Sequence, residues 1–157
     1  MSEPFPHAPD FQLVDTRGYP VTLYTFRGHT NVVLVFNRGL ACPFCRQHLT
    51  LLRRDADAFE ARHAVILIID PDRPDQIQEY WDRAQLPFPG FSDADNLVSS
   101  LFRQTADIYR SGRLPSVVLI DRESRIRYRY DGRSAPDIPA NETLLAELDR
   151  INRESAG

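Results

Sequence analysis

The 157-residue sequence contains no lysine; all 19 of its basic residues are arginine. Lysine Schiff-base and lysine general-base chemistry are thereby excluded. Cysteine is nearly as scarce, with two in the chain, too few for the disulfide framework of a small secreted scaffold. No stretch reaches the roughly 20 apolar residues that a membrane-spanning helix requires. The segment Met1-Ser2-Glu3-Pro4-Phe5-Pro6-His7 has no apolar core run, so no signal peptide is expected and a cytoplasmic setting is the default. Positive charge is not in excess either. A net charge of −3 argues against a general nucleic-acid binder. Internal repeats and low-complexity linkers are absent, and the length suits a single domain over residues 1–157 with a substantial core.

What is present is concentrated around Ala41-Cys42-Pro43-Phe44-Cys45-Arg46. Both cysteines lie here, three positions apart, between an apolar β-branched run at about 31–36 and a segment with helical periodicity. A thiol at a helix N-terminus faces unsatisfied N–H groups and the positive end of the macrodipole. There it ionises more readily and becomes a better nucleophile. Cys42 is the candidate nucleophile, with Arg38 and Arg46 expected to lower its pKa, and Cys45 is the candidate resolving thiol. Pro43 fits the first helical turn, where its missing N–H costs nothing.

Taken in order, residues 1–10 read as an extended leader. The runs 11–14 and 21–23 flank a turn and read as a β-hairpin. After the strand at 31–36, Cys45, Leu49, Leu52, Ala56 and Phe59 share one face of a helix from Pro43 to about Arg62. The run 64–69 reads as a second buried strand of parallel type. A helix follows over about 74–85, then a loop at 87–91, and then a helix capped by Ser92 or Asp93 and running to about Gln104. The run 114–121 is a third buried strand that opens on Pro115, which is tolerated at a strand start. The alternation in 125–130 marks a strand with one wet face, on which Arg125, Arg127 and Arg129 discourage edge pairing. A last helix spans about 141–152. This order predicts an α/β fold: a thioredoxin-like three-layer sandwich with a mixed central sheet and an N-terminal hairpin extension.

Ala8-Pro9-Asp10-Phe11, the block from Val33 through Cys45, Phe91-Ser92-Asp93, Leu114-Pro115-Ser116 and Leu119-Ile120-Asp121 together resemble the AhpC/TSA (alkyl hydroperoxide reductase / thiol-specific antioxidant) family. That group includes the peroxiredoxins, and the likeness covers roughly residues 8–150. Arg38-Gly39-Leu40-Ala41-Cys42-Pro43-Phe44-Cys45 is close to its peroxiredoxin-like members. Two features depart from the peroxiredoxin pattern. Val35 and Gly39 stand where the Pro and Thr of the peroxidatic motif are usual, and Pro115 stands where a peroxide-binding Arg is usual. Proline at that point resembles the thioredoxins and implies a cis Pro115 facing the cysteines. The buried thioredoxin acid is missing too, its place taken by Phe36.

The resemblance implies an oxidoreductase with a redox-active disulfide, cycled between Cys42 and Cys45 and recharged by an external thiol of thioredoxin, glutaredoxin or glutathione type. Reduction of disulfide substrates is the first expectation, and antioxidant reduction of hydroperoxides at Cys42 is the alternative. A redox-inert interaction module is the third. Phe44, Pro43, Arg46, Arg38 and Pro115 are the expected supporting residues. No cofactor is implied. His48 completes a Cys-x-x-Cys-x-x-His spacing, but a zinc site would need further ligands, so His48 reads as a helix-flank residue that tunes the site. No nucleic acid and no membrane is expected as a partner, and a homodimer is an open assembly.

Overall fold

The computed structural model describes residues 5–104, 106–107 and 112–156; residues 1–4 of the expected leader lie outside it. The central sheet has five strands. β3 (Asn31–Phe36) and β4 (Ala64–Asp70) lie in the middle with β8 (Ser116–Ile120), flanked by β5 (Gly90–Ser92) and β9 (Ile126–Asp131). The spatial order is β5-β4-β3-β8-β9. β3 pairs parallel with β4 and antiparallel with β8, so the sheet is mixed, as expected. Apart, two short strands, β1 (Gln12–Val14) and β2 (Pro20–Thr22), form the expected hairpin. Its turn is organised by the Asp15 carboxylate, which accepts the N–H groups of Arg17 and Tyr19.

Alternation along the strands divides the core into two layers. Val33 and Val35 register with Ile66 and Ile68 on one side and with Leu119 and Val117 on the other. This face packs on α1 (Pro43–Arg54), α2 (Ala56–Glu60), α3 (Pro74–Ala84) and α5 (Asn141–Ala156), through Leu49, Leu52, Phe59, Trp81, Leu144 and Leu148. The opposite face, with Val32, Leu34, Phe36, Leu67, Ile69 and Val118, packs on Phe11, Leu23, Phe91, Phe102 and Val98 of α4 (Leu97–Leu101). Complete burial of each such aliphatic side chain is worth about 1.5–3 kcal/mol. The apolar runs at 31–36 and 64–69 are continuous because both faces of these strands are covered.

Several boundaries differ from the sequence expectation. The helix from Pro43 does not run unbroken to Arg62: it yields at Asp55, whose ψ is 15°. There the Asn141 amide, from the start of α5, donates to both the Leu51 carbonyl and the Asp55 carboxylate. The segment before β8 holds more than loop and helix. It contributes the edge strand β5, and a small ladder formed by β6 (Ala106–Asp107) and β7 (Gly112–Arg113). Asn96, not Ser92 or Asp93, is the N-cap of α4, but the two Asp93 oxygens accept the N–H groups of Val98 and Ser99 in its first turn. That helix ends at Leu101, short of Gln104. Nor is β9 wet on one face. Arg127 is only 7% exposed, pairs with Asp121, and carries the Phe5 ring over its guanidinium. The residues after Phe5 run alongside: the Ile126 N–H donates to Pro6 and the Ala8 N–H to Ser124.

β5 also explains a glycine. A Cβ at Gly90 would lie 2.4 Å from the Trp81 ring, and that ring is pinned by its Nε1–H donating to the Phe88 carbonyl at 2.8 Å. Gly90→Ala is expected to destabilise the protein by about 1–3 kcal/mol through overpacking, read as a lower urea midpoint with Trp81 fluorescence as the probe.

Candidate active site

The parallel pair β3–β4 ends at one edge of the sheet, and the loop that leaves β3 there carries the two cysteines. Cys42 is the N-cap of α1, with extended backbone (φ −82°, ψ 117°), and Pro43 occupies the first turn. The Cys42 N–H donates back to the Gly39 carbonyl at 3.2 Å, closing a turn just before the helix. Cys45 follows one turn later and is 1% exposed, against 7% for Cys42. Both thiols are free. Phe44 points outward and is 41% exposed.

The two thiols are polarised in opposite directions. Burial opposes ionisation of Cys42, but the Cys45 N–H and thiol, the Arg38 guanidinium and the Phe44 N–H all stabilise its anion. The balance puts its pKa below the ordinary thiol value. Cys45 is pushed up to about 12, by burial first and by the neighbouring Cys42 charge, against the Arg38 N–H that its Sγ accepts at 3.3 Å. One thiol is thus ready to act as a nucleophile while the other holds its proton, the division of labour a dithiol site requires.

Arg38 links the loop to the far side of the sheet. Its Nε–H donates to the Arg113 carbonyl at 2.8 Å, and its Nη1 reaches the Cys42 Sγ at 3.9 Å. Arg46 braces the loop, donating from Nη1 to the Leu40 carbonyl at 2.7 Å.

Pro115 departs from expectation. Among the described residues no peptide bond is cis, so the Leu114–Pro115 bond is trans. The Pro115 carbonyl accepts the Gly132 N–H at 2.8 Å, and its ring lies against Gly132. This hydrogen bond lies one step past the Ser116–Asp131 pair of the β8–β9 ladder. His48 also differs: it is not on the helix flank but buried at 5% exposure, its Nε2 has no hydrogen-bond partner, and burial pushes its pKa down to about 4. Among the described residues no group of three or more His, Cys, Asp or Glu is placed to hold a metal ion, and no helix is long and apolar enough to cross a membrane.

Beneath the cysteine loop lies a polar cluster that motif reading passes over. Asn37 follows β3 and Asp70 ends β4; because Phe36 registers with Ile69, these two come side by side, with the Asn37 amide donating to Asp70 at 3.4 Å. Asp72 accepts the Leu40 N–H. Arg113 donates to the Asp93 carbonyl. The Gln104 amide donates to the carbonyls of Asn37 and Leu114. The one signal in the sequence was the position of Asp70, at the carboxyl end of a buried strand beside the strand that leads into the cysteines.

The model of the AhpC/TSA family matches residues 6–129. Among curated proteins, a chloroplastic putative peroxiredoxin Q of Oryza sativa subsp. indica is 29% identical over 139 residues, 87% of this chain and 63% of the rice protein. The match therefore spans less than two thirds of that relative's length. Peroxiredoxin Bcp of Escherichia coli K12 is 26% identical over 129 residues, 79% of this chain and 82% of its own. Among solved structures, Peroxidoxin BcpB of Mycobacterium tuberculosis superposes with a TM-score of 0.83 at 21% identity, covering 94% of this chain and 96% of that one. At that identity the likeness speaks for the fold.

Proposed function

This chain belongs to the AhpC/TSA family, and from that premise we propose that it is a peroxiredoxin-like thiol peroxidase. The Cys42 thiolate attacks the terminal oxygen of a hydroperoxide. The O–O bond breaks, the alcohol leaves after taking up a proton, and Cys42 becomes a sulfenic acid. Cys45 then attacks that sulfur, water leaves with the Cys45 proton, and a Cys42–Cys45 disulfide closes. A dithiol reductant of thioredoxin type opens it by exchange and takes the oxidised state away.

The observation that carries this reading is the Arg38 guanidinium beside the Cys42 sulfur. A cation there stabilises the thiolate and can donate to the peroxide oxygens as charge develops on the leaving alkoxide. Arg38 comes from the β3 side, so it offers a guanidinium where the family pattern would otherwise have lost one at Pro115. Reduction of disulfide substrates is expected first because the usual Thr and Arg positions are missing and Pro115 resembles the thioredoxin proline; the Leu114–Pro115 bond is trans, which weakens the second of these grounds.

The test is a comparison of rates. Reduced protein is mixed with an organic hydroperoxide and, separately, with a protein disulfide, and loss of free thiol is followed in each. Thiol loss is expected to be faster by about a hundredfold or more with the hydroperoxide, the scale of one well-placed charge donor. Faster loss with the disulfide would reverse the assignment.

A further inference from the structure

The Leu40 peptide, two residues before Cys42, is gripped from both ends. Its N–H donates to the Asp72 Oδ2 at 2.7 Å and its carbonyl accepts from Arg46 at 2.7 Å. Arg46 acts from the helix that Cys42 caps. Asp72 is anchored in turn by Asp70: the Asp72 N–H donates to the Asp70 Oδ1 at 2.9 Å. Asp70 is fully buried. The surroundings are mixed in charge. Asn37 meets Asp70 from the end of β3. Arg113 approaches both aspartates from the segment before β8 and sits 3.7 Å from the Asp93 carboxylate that follows β5. A carboxyl as dry as that of Asp70, with the half-buried Asp72 carboxyl beside it, does not ionise at small cost.

We propose that Asp70 and Asp72 are positioning residues for the nucleophile: while Asp70 is protonated, Asp72 holds the Leu40 N–H and fixes the turn that presents Cys42. The inference takes Cys42 as the nucleophile of the reading above but does not depend on which electrophile it meets. Burial, followed by the hydrogen bond with Asp72, pushes Asp70 up to about 8, so Asp70 holds its proton at neutral pH. Raising the pH past that point transfers it to solvent. The two carboxylates then repel, and the hold on Leu40 loosens.

The test reads the Leu40 amide proton by NMR from pH 6 to pH 10, in protein with Cys42→Ser and Cys45→Ser. Both cysteines of the chain are then gone, so no thiol titrates. The Leu40 shift is expected to move with a midpoint near the Asp70 value of about 8, together with the Asp70 side-chain carboxyl carbon. Asp70→Asn, which keeps position 70 uncharged at every pH, is expected to abolish the Leu40 movement. In protein that retains its cysteines, the rate of Cys42 alkylation by iodoacetamide, divided by the Cys42 thiolate fraction read from absorbance at each pH, should decline through the same midpoint, and in Asp70→Asn it should stay level. A Leu40 amide that does not move, or one that moves apart from the Asp70 carboxyl, overturns the proposal. So does an inflection that persists in Asp70→Asn. If peroxide does not react with Cys42 but the Leu40 titration appears, the peroxidase reading fails and this one stands.

Discussion

Cys42→Ser is expected to abolish hydroperoxide turnover, a loss of at least about 10³-fold, whereas Cys45→Ser reacts once and stops. The asymmetry follows from the two environments. Cys42 has the helix N-terminus, the Cys45 N–H and Arg38 around its sulfur, and its pKa is lowered. Cys45 is 1% exposed and pushed up to about 12. Of the two, Cys42 is the one whose surroundings favour the thiolate, and a serine hydroxyl with the same neighbours is not an adequate substitute for that nucleophile. In Cys45→Ser the first attack on peroxide needs from residue 45 only its N–H, which the variant keeps, and a side-chain donor to the Cys42 anion, which the serine hydroxyl supplies. What it loses is the intramolecular partner that converts the sulfenic acid to a disulfide. Consumption of one equivalent of peroxide followed by arrest, measured by stopped flow with and without a thioredoxin-type reductant, checks both halves. Sustained turnover by Cys42→Ser would place the chemistry elsewhere.

Arg38→Gln is expected to lower kcat/KM for hydroperoxide by about 10²-fold, the usual cost of removing one charge donor from a developing anion. The same change should raise the Cys42 pKa, since the guanidinium is one of the groups that lower it. The backbone N–H of residue 38, which Cys45 accepts, survives the substitution, so the Cys45 environment is preserved. Arg38→Lys should recover part of the charge effect but not the bridge from Nε to the Arg113 carbonyl. Thiolate absorbance against pH gives the pKa and stopped-flow mixing gives the rate. An unchanged pKa and an unchanged rate would reduce Arg38 to a strut between β3 and the segment before β8.

The strands and the cysteine loop were legible because their signals are local. Continuous runs such as Val32-Val33-Leu34-Val35-Phe36 follow from burial on both faces, and Pro43 after Cys42 marks a helix start by its own backbone chemistry. What surrounds the sulfur was less so. Arg38 was a neighbour in the sequence, but that its guanidinium bridges Cys42 and the Arg113 carbonyl depends on a strand 75 residues away. Asp70 comes beside Asn37 only through the β3–β4 register. The break at Asp55 is imposed by Asn141 across the core. Pro115 shows the opposite failure: the tripeptide Leu114-Pro115-Ser116 suggested a cis bond by resemblance, whereas the bond is trans and the Pro115 carbonyl accepts the Gly132 N–H beside the β8–β9 ladder. In the first three cases a partner far along the chain decides the outcome.

The most direct test of the account is where oxygen goes. Reduced Cys45→Ser protein receives one equivalent of an organic hydroperoxide and is examined at once by intact-protein and peptide mass spectrometry, alongside the unsubstituted protein. The account predicts one added oxygen atom on the Cys42 peptide of the variant, and a Cys42–Cys45 disulfide in the unsubstituted protein. A variant that gains no oxygen at Cys42, while the hydroperoxide remains unconsumed, would contradict it.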